Sequence, residues 1–535
     1  MLLDQETLRF IFGMKLRNHR LEQRLSLHEL ADRTGLSASY INEIEKGKKY
    51  PKSDKVLLLA DALGVGYDDL TSVRLSTELA FLARLLERGS LRSFPLHIFG
   101  VPAQAIMEVM ADSPQKFSAL IGTLLELARL YDVRVEEVFV ACLKAYIDMH
   151  GNYFPDIEQK AESVRIKMAP GGHVGAPGKT RKSPGIPRLD PDRLEVFLTE
   201  NFGYEVRDLN FNTLDPTLHN LLFFVVEGGS PVLIINQQIG QRERNFILAK
   251  TIGYEVLELK GRFPSSYSSS ADSFDRLLHN FQASYFAGAL LLGWAEMVED
   301  LAQLLAMPKW NGSAWTKWME SGVAPWGAYL HRMAQVLPKA FGTDRLFLIE
   351  MDHGKGSPAG AAEYTLSKQL HLSDLHAPHR VHAGENYCRR WITVKLLAEA
   401  ARKNGDRPII GAQRSTFVSK GGEYLCLSVA YPKEGQTGVY QCSTIGLQVN
   451  DTLLQKVKFA SDVKVSGKEV GDTCERCPIE GCEERAAAPL ALQRRSAEET
   501  IQQSIADQIE RWEGKSTSKQ KATGTRPKKT LRMNH

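Results

Sequence analysis

Three cysteines crowd into a short segment near the end of the chain. Cys474, Cys477 and Cys482 have the spacing C-x2-C-x4-C, in a chain of 535 residues that has only seven cysteines. Thiolates so close together suit a soft metal, either zinc or an iron-sulfur cluster, and both kinds of site need a fourth ligand. The candidates for that ligand are Cys388 and, fitting less well, Cys442, Cys426 and His382. The spacing therefore predicts a metal site.

A second segment has the shape of a metallopeptidase helix without the ligands. Residues 241–255 follow a short predicted strand and are similar to the zincin helix of ImmA/IrrE-type metallopeptidases, where His-Glu-x-x-His supplies two ligands and a base. The corresponding residues here are Lys250, Thr251 and Tyr254. A charged amine does not bind zinc, and a hydroxyl cannot replace the carboxylate base. The resemblance implies a degenerate domain that is no enzyme but still offers a cavity. A regulator with metallopeptidase activity is the alternative.

Residues 25–47 read as two short helices joined by a tight turn at Gly35. Ser26 and Ser37 stand where the two helices need N-caps, and apolar residues recur at helical spacing between them. From Arg9 to Lys55 there are eleven basic residues against six acidic ones, a balance that favours phosphate neutralisation. The stretch from about residue 9 to residue 71 resembles the repressor-type helix-turn-helix of the lambda-repressor/Cro-like (XRE) family.

That resemblance implies DNA binding with separate roles for individual side chains. The second helix of the motif is capped by Ser37, and the residues that would face bases are Ala38, Ser39, Tyr40 and Asn42. The residues that would face phosphates are Ser26, His28, Lys46, Lys48 and Lys49. The alternative is a small helical bundle that is used only for protein contacts.

Composition and patterning predict a multidomain protein. With 43% hydrophobic and 24% charged residues and a net charge of +4, the chain is neither disordered throughout nor fibrous. The cysteine count excludes a disulfide scaffold, and the start has no basic segment followed by an apolar one, so we expect a cytoplasmic protein. No apolar run approaches the roughly 20 residues of a membrane helix. We therefore expect no membrane partner.

Turn signals and periodicity divide the chain into six predicted parts. The fold class is an all-α helix-turn-helix domain and a helical connector, followed by an α+β degenerate zincin-like domain and an α+β domain with a cysteine metal site. The predicted parts are a helix-turn-helix domain (1–72), a helical connector (73–166), a flexible basic linker (167–188), a degenerate ImmA/IrrE-like domain (189–322), an α+β ligand and metal-cluster domain (323–513) and a disordered basic tail (514–535).

Within these parts, periodicity places the main elements. The predicted helices span residues 241–259, 272–305 and 498–512. The predicted strands span residues 223–226, 231–236, 346–351, 424–429 and 438–449.

Taken from end to end, the chain resembles the short-chain fatty acyl transcriptional regulators of actinobacteria, which include propionate and acetate metabolism regulators. Besides the helix-turn-helix, the resemblance rests on residues 245–249 without the metal triad, residues 280–291, Cys388 with Trp391, and the cysteine cluster followed by Arg485, Ala486 and Pro489. It implies an acyl-coenzyme A ligand. It also implies a 4Fe-4S cluster held by Cys388, Cys474, Cys477 and Cys482, with zinc as the alternative.

These observations predict a sequence-specific, DNA-binding transcription regulator that is controlled by a small molecule, a short-chain acyl-coenzyme A. We expect a homodimer on double-stranded operator DNA, because two-fold half-sites match a two-fold protein. The alternative function is a redox-sensing iron-sulfur regulator, in which the cluster alone is the signal.

Overall fold

The computed structural model describes residues 5–72, 96–100, 123, 126, 135–169, 188–263, 265, 273–354, 364–372, 385–418, 421–465 and 467–522. The chain divides into two compact units, which are Met1–His150 with Gly253–Ser284, and Gly151–Ile252 with Tyr285–His535. The predicted 189–322 domain is therefore split between the two units. The physical reason is apolar packing, because Phe263, Phe274 and Leu278 share a core with Phe139 and Cys142.

The described part of the first unit begins with five helices. They are α1 (Gln5–Glu22), α2 (Leu27–Thr34), α3 (Ala38–Glu45), α4 (Ser53–Leu63) and α5 (Tyr67–Thr71). The turn between α2 and α3 contains Gly35 at φ +68°, a left-handed conformation that ends α2 without the strain of a side chain. The core of this bundle is apolar and is formed by residues of its own helices, among them Phe12, Leu30, Ile41 and Leu59.

One buried ion pair fixes α3 against α1. The Arg20 guanidinium donates to both carboxylate oxygens of Glu45 over 2.6 and 2.8 Å and to the carbonyl oxygen of Leu25 over 2.7 Å. The helices also approach closely at Gly13, where a Cβ atom would collide with the carbonyl oxygen of Ile44. The position of α3 is therefore specified by packing and by a two-point charged contact.

The remaining helices follow in chain order through both units. They are α6 (Val135–Met149), α7 (Pro155–Met168), α8 (Asp192–Phe202), α9 (Gln241–Val256), α10 (Phe274–Leu291), α11 (Trp294–Leu305), α12 (Gly312–Glu320), α13 (Trp326–Val336), α14 (Ile392–Lys403), α15 (Asp451–Lys456) and α16 (Leu490–Ala522). No described helix is long and apolar enough to cross a membrane.

The described residues of the second unit form two sheets. The smaller sheet has the order β1-β3-β2, with β1 (Glu205–Leu209) parallel and β2 (Phe223–Val226) antiparallel to β3 (Val232–Asn236). The larger sheet has the order β5-β4-β8-β7-β6-β9. Its strands are β4 (Leu346–Gly354), β5 (Tyr364–Leu372), β6 (Ile409–Phe417), β7 (Glu423–Pro432), β8 (Val439–Gln448) and β9 (Gly467–Val470).

Strand alternation gives the larger sheet two different faces. One face carries Phe347, Ile349, Tyr424 and Cys442, which share an apolar core with residues of α14. The alternate residues, which include Glu350 and Ser443, project from the other face, where α13 supplies His331 as a hydrogen-bonding partner to Glu350. Both faces are covered, and this explains why β7 is buried almost throughout.

Several predicted elements need correction. The predicted 272–305 helix is two helices, because Gly293 has a non-helical ψ of 148° and the Arg165 guanidinium donates to the Leu290 carbonyl oxygen at the end of α10 over 2.6 Å. The helix predicted over 498–512 spans Leu490–Ala522 and so enters the predicted disordered tail, where no proline occurs before Pro527. The strands β1, β5, β6 and β9 were not predicted.

Two predicted segments are only partly described. The helical connector is represented by α6 and α7 and by a few further residues, and most of it lies outside the described residues. The predicted basic linker begins within α7, which ends at Met168, and its residues 170–187 lie outside the described residues.

Candidate functional site

The two predicted caps of the helix-turn-helix motif are formed. The Ser26 hydroxyl oxygen accepts from the backbone N–H of Glu29 over 3.2 Å, and the Glu29 carboxylate accepts from the Ser26 N–H over 2.7 Å. The Ser37 hydroxyl oxygen accepts from the N–H of Tyr40 over 3.2 Å. Each hydroxyl still has its own hydrogen to donate. Both serines can therefore cap a helix and donate to a phosphate at once.

The structure places the predicted DNA-contacting residues on and around α3. Those that are exposed are Ser26, His28, Ser37, Ser39, Lys48 and Lys49, and those that are half-buried are Ala38, Tyr40, Asn42 and Lys46. Ser39 and Asn42 are three residues apart and share one face of α3. That arrangement allows contact with a groove, and the contacts themselves stay predictions.

Tyr40 has a second role that the sequence did not indicate. Its ring packs against the apolar core of the bundle, and the Lys55 ammonium lies 4.4 Å from the ring centroid. Lys49 lies 5.7 Å from the same centroid and pairs with Glu43 at 2.8 Å, a contact that raises the pKa of Lys49. A substitution at Tyr40 therefore disturbs packing and two cationic side chains as well as any contact with a base.

The cysteine loop is fastened to the segment that contains Cys388. Tyr387 and Thr473 form an isolated antiparallel bridge, and the Cys388 N–H donates to the carbonyl oxygen of Asp472 over 3.1 Å. The Trp391 indole donates to the carbonyl oxygen of Gly471 over 2.9 Å. Cys388 therefore lies beside the cysteine cluster although it is far from it in sequence.

Arg485 bonds to three backbone carbonyl oxygens of the cysteine loop. Its guanidinium donates to the carbonyl oxygens of Cys474 (2.7 Å), Cys477 (3.2 Å) and Ile479 (2.5 Å). The N–H of Ala486 donates to the Cys474 sulfur over 3.3 Å. The loop is therefore ordered by charge-assisted bonds to backbone carbonyls, and one sulfur already accepts a backbone hydrogen bond.

The four thiols that are predicted as ligands are largely buried. Cys388, Cys474 and Cys477 are buried, Cys482 is half-buried, and all four are free thiols. Burial raises the pKa of Cys388 to about 11, and Cys477 and Cys474 contribute in the same direction. Within the described ranges, no group of three or more His, Cys, Asp or Glu side chains is arranged to hold one metal ion.

The other candidates for the fourth ligand are placed differently. Cys426 lies in β7 and Cys442 in β8, and both are buried within the larger sheet. The Cys426 thiol contacts the carbonyl oxygen of Tyr424 in β7. The Cys442 thiol contacts the carbonyl oxygen of Ser443 and the hydroxyl of Thr444 in β8. His382 lies outside the described residues. Of the described candidates, Cys388 is the one that interacts electrostatically with Cys474 and Cys477.

The zincin-like positions on α9 carry no metal-binding set. The Thr251 hydroxyl donates to the carbonyl oxygen of Ile247 over 2.8 Å within the same helix. Burial raises the pKa of Tyr254 to about 12, and its hydroxyl lies 3.4 Å from the Asn280 side-chain oxygen. Lys250 is half-buried, and its surroundings lower its pKa to about 8.

A group of charged residues was missed by the sequence reasoning. Glu350 on β4 is 4% exposed and accepts from Ser443 over 3.2 Å, from His331 over 2.8 Å and from Lys368 over 3.2 Å. Lys368 is its direct partner across β4 and β5. In the sequence, the alternation of apolar and polar residues over 364–372 indicates a strand that carries Lys368. The seven-residue spacing of Glu243 and Lys250 indicates two charged residues on one side of a helix.

Comparisons with known proteins concern mainly the N-terminal segment. The helix-turn-helix family matches residues 16–70. The HTH-type transcriptional repressor RghR of Bacillus subtilis (strain 168) is 42% identical over 60 residues, which is 11% of this chain and 44% of RghR. The chain thus matches less than half of the length of this relative. The stretch from residue 16 to residue 70 is a helix-turn-helix domain.

A solved structure extends over more of the chain at lower similarity. It is a Mycobacterium tuberculosis transcriptional regulator, which is 15% identical and has a TM-score of 0.43. The alignment covers 64% of this chain and 92% of that one.

Proposed function

We propose that this protein is a sequence-specific DNA-binding transcription regulator controlled by a small-molecule ligand. The observation that carries the proposal is the helix-turn-helix domain, in which α3 is fixed by the Arg20–Glu45 pair and offers Ser39 and Asn42 from one face. Its match to RghR, whose name describes a transcriptional repressor, supports the same function. A rigid helix with basic flanks is what base reading requires.

Selection from random DNA tests this proposal without knowledge of the operator. The full chain is incubated with a pool of random duplexes, and bound DNA is recovered and sequenced over several rounds. We expect the wild type to enrich one motif and Asn42→Ala to enrich a relaxed motif or none. Enrichment of no motif by the wild type, at salt concentrations that permit binding, would contradict sequence-specific reading.

We propose a short-chain acyl-coenzyme A as the ligand. The support is the collinear resemblance to short-chain fatty acyl regulators, and the degenerate zincin-like helix leaves polar residues such as Lys250 where a peptidase would place metal ligands. A ligand changes DNA binding only if it binds the DNA-competent and incompetent states with different affinities. Acetyl- and propionyl-coenzyme A should therefore shift the DNA titration, and free coenzyme A serves as the control.

We also propose that Cys388, Cys474, Cys477 and Cys482 hold a 4Fe-4S cluster. Four thiols are the right donors, three of them are buried, and a backbone N–H already donates to the Cys474 sulfur. The cluster would supply redox chemistry or would hold the loop in place as a structural site. The alternatives are a zinc site and a regulator in which the redox state of the cluster is the only signal. Only redox sensing requires that loss of the cluster changes DNA affinity.

Metal analysis of protein purified without air distinguishes these cases. Iron and sulfide in near-equal amounts with broad visible absorbance support the cluster, and Cys477→Ser should lose most of the iron. The matched control is Cys426→Ser, because Cys426 is a buried thiol in β7 outside the cluster. Stoichiometric zinc in a colourless protein would contradict the cluster and favour a structural clasp.

We further propose a homodimer without peptidase activity. Two-fold operators match two-fold proteins, so light scattering of the full chain should give twice the chain mass. The zincin-like positions hold an amine, a hydroxyl bonded within its own helix and a phenol. Hydrolysis of casein in the presence of zinc would contradict the second part.

A further inference from the structure

The side chains of Tyr40 and Lys55 connect α3 to the start of α4. Tyr40 is the third residue of α3, and Lys55 is the third residue of α4. The Lys55 ammonium lies 4.4 Å from the centroid of the Tyr40 ring, well within the roughly 6 Å over which a ring face attracts a cation. A residue predicted to face bases is therefore in contact with a cationic residue that the sequence did not assign to DNA binding.

The fold fixes the distance between these two side chains. Ile41 and Val56, which directly follow Tyr40 and Lys55, are buried in the same apolar core. The loop between the two helices is held to α3, because the N–H of Lys48 donates to an α3 carbonyl oxygen over 2.9 Å. The approach of Lys55 to the ring thus follows from the packing of the bundle and not from a mobile loop.

The two lysines beside the Tyr40 ring differ in their partners. The Lys49 ammonium lies 5.7 Å from the ring centroid and is paired with the Glu43 carboxylate at 2.8 Å. Lys55 is closer to the ring, and within the described part of the chain its ammonium has no ion pair or hydrogen bond. A phosphate would have to compete with Glu43 for Lys49, whereas it would meet no carboxylate bound to Lys55. Of the two lysines, Lys55 is therefore the better partner for an anion.

The contact with the ring leaves Lys55 able to bind a phosphate. An ammonium group has three N–H donors, and a ring face attracts its positive charge without using all of them. Lys55 is half-buried, so part of its side chain reaches solvent. The ammonium can therefore lie over the ring and donate to a phosphate oxygen at the same time.

The ring of Tyr40 is placed where its orientation matters. It is half-buried and packs against the core of the bundle, and its backbone N–H is bound by the Ser37 cap. In the major groove, an aromatic side chain makes an apolar contact with the methyl group of thymine. That contact depends on the direction of the ring, which the core and Lys55 together restrict.

We propose that Lys55 is a DNA-binding residue with two linked roles. Its ammonium donates to a backbone phosphate of double-stranded DNA, and it positions the Tyr40 ring against the methyl group of a thymine. Binding of the phosphate thereby stabilises the ring orientation that reads the base. The proposal rests on the proposed sequence-specific DNA binding, and it adds one phosphate contact and one class of base to that function.

Fluorescence anisotropy of the full chain with three kinds of duplex tests the proposal. The first duplex carries the motif selected by the wild type, and the second carries that motif with one thymine at a time replaced by deoxyuridine, which lacks only the methyl group. The third is scrambled. We expect the wild type to bind the first duplex at least tenfold more tightly than the third. One of the replacements should weaken its binding by about threefold.

Lys55→Met should lose both contacts. We expect it to bind the selected duplex about tenfold more weakly than the wild type and to lose the response to the thymine methyl group. The slope of log affinity against log salt concentration should fall by about 0.9, the value for one phosphate. Lys55→Arg should keep most of the affinity, because a guanidinium also carries a charge and stacks on a ring. Thermal melts confirm that each variant is folded.

Two further variants separate the linked roles from a general effect of charge. In the Tyr40→Leu background, the loss caused by Lys55→Met should be severalfold smaller than in the wild type, because the ring is absent. The matched control is Lys52→Met, since Lys52 is exposed and directly precedes α4. This control should weaken the selected and the scrambled duplex by the same factor and preserve the response to the methyl group.

The outcomes distinguish this proposal from the proposed function. A wild type without preference for the selected duplex would contradict sequence-specific binding and this proposal with it. If the wild type has that preference, an unchanged salt slope in Lys55→Met would overturn this proposal alone. The same holds if no loss of a thymine methyl group affects the wild type, or if Lys55→Met responds to that loss as the wild type does. Equal losses from Lys55→Met with and without the Tyr40 ring would also overturn it, because the two roles would then be independent.

Discussion

The helix-turn-helix domain and the charged cluster around Glu350 use polar residues in opposite ways. In the first, the residues that would touch DNA are exposed or half-buried, and the buried charges Arg20 and Glu45 only position α3. In the second, the carboxylate of Glu350 is itself buried, and its partners Lys368, His331 and Ser443 come from β5, α13 and β8. A surface that reads a large polymer needs a rigid support, whereas a buried charge needs polar partners that converge on it.

We expect the greatest loss of stability when the buried Arg20–Glu45 pair, which positions α3, is broken. Glu45→Ala should leave the Arg20 guanidinium buried without its partner, and we expect a loss of about 3–5 kcal/mol in the stability of the helix-turn-helix domain. Hydrogen exchange resolved by mass spectrometry over residues 5–72 measures this locally. The matched control is Glu43→Ala, which breaks a more exposed pair with Lys49 and should cost less than about 1 kcal/mol. Equal effects of the two variants would show that the buried pair does not position α3.

The next prediction concerns the contribution of the buried Glu350 carboxylate to stability. The pKa of Glu350 is held below its usual range, so this carboxylate stabilises the fold above pH about 4.3, and the contribution is lost as the pH falls below that value. Glu350→Gln should therefore be less stable at pH 7, and its deficit should shrink by up to about 1.4 kcal/mol per pH unit below pH about 4. Urea unfolding at several pH values measures the difference. A deficit that stays constant from pH 7 to pH 3 would contradict the assignment.

A third prediction concerns the cysteine loop. Arg485→Ala removes three bonds from a guanidinium to backbone carbonyl oxygens, each worth roughly 1.5–3 kcal/mol when the donor is charged. We expect Cys474 and Cys477 in the metal-free protein to react with maleimide on the order of tenfold faster. The control is Arg476→Ala, which removes only a partly exposed pair with Glu385. Unchanged alkylation rates in Arg485→Ala would show that the loop is ordered by other contacts.

The smallest predicted effect lies at the turn of the helix-turn-helix. Gly35 has φ +68°, and Gly35→Ala should cost about 1 kcal/mol because of backbone strain, since no atom obstructs a Cβ there. Circular dichroism during urea unfolding measures the change. Gly13→Ala offers the opposite case, because its Cβ would collide with backbone atoms of α3. If the two variants lost equal stability, strain and collision would not be separable in this domain.

The sequence predicted the parts of the fold that have local signals. The caps Ser26 and Ser37 and the turn at Gly35 are decided within a few residues, so they could be predicted, and the family comparison confirms the helix-turn-helix. At the break between α10 and α11, the carbonyl oxygen of Leu290 accepts from Arg165, which is distant in the sequence. The strands β1 and β9 were missed because they are short and carry charged residues.

The same distinction applies to the candidate sites. The cysteine spacing is a local signal, whereas the position of Cys388 beside the loop depends on the backbone contacts of residues 387 and 388 with residues 472 and 473. The pairing of Glu350 with Lys368 depends on the register of β4 with β5. No pattern within one segment encodes such contacts, because each joins elements that are far apart in the chain.

A ratio of two DNA affinities tests whether α3 reads bases. The affinity of the full chain is measured by fluorescence anisotropy for a selected duplex and for a scrambled one at the same salt concentration. We predict that Asn42→Ala lowers the ratio of the two affinities about tenfold or more, and that Lys48→Ala weakens both by similar factors. An unchanged ratio in Asn42→Ala and in Ser39→Ala would contradict base reading by this face of α3.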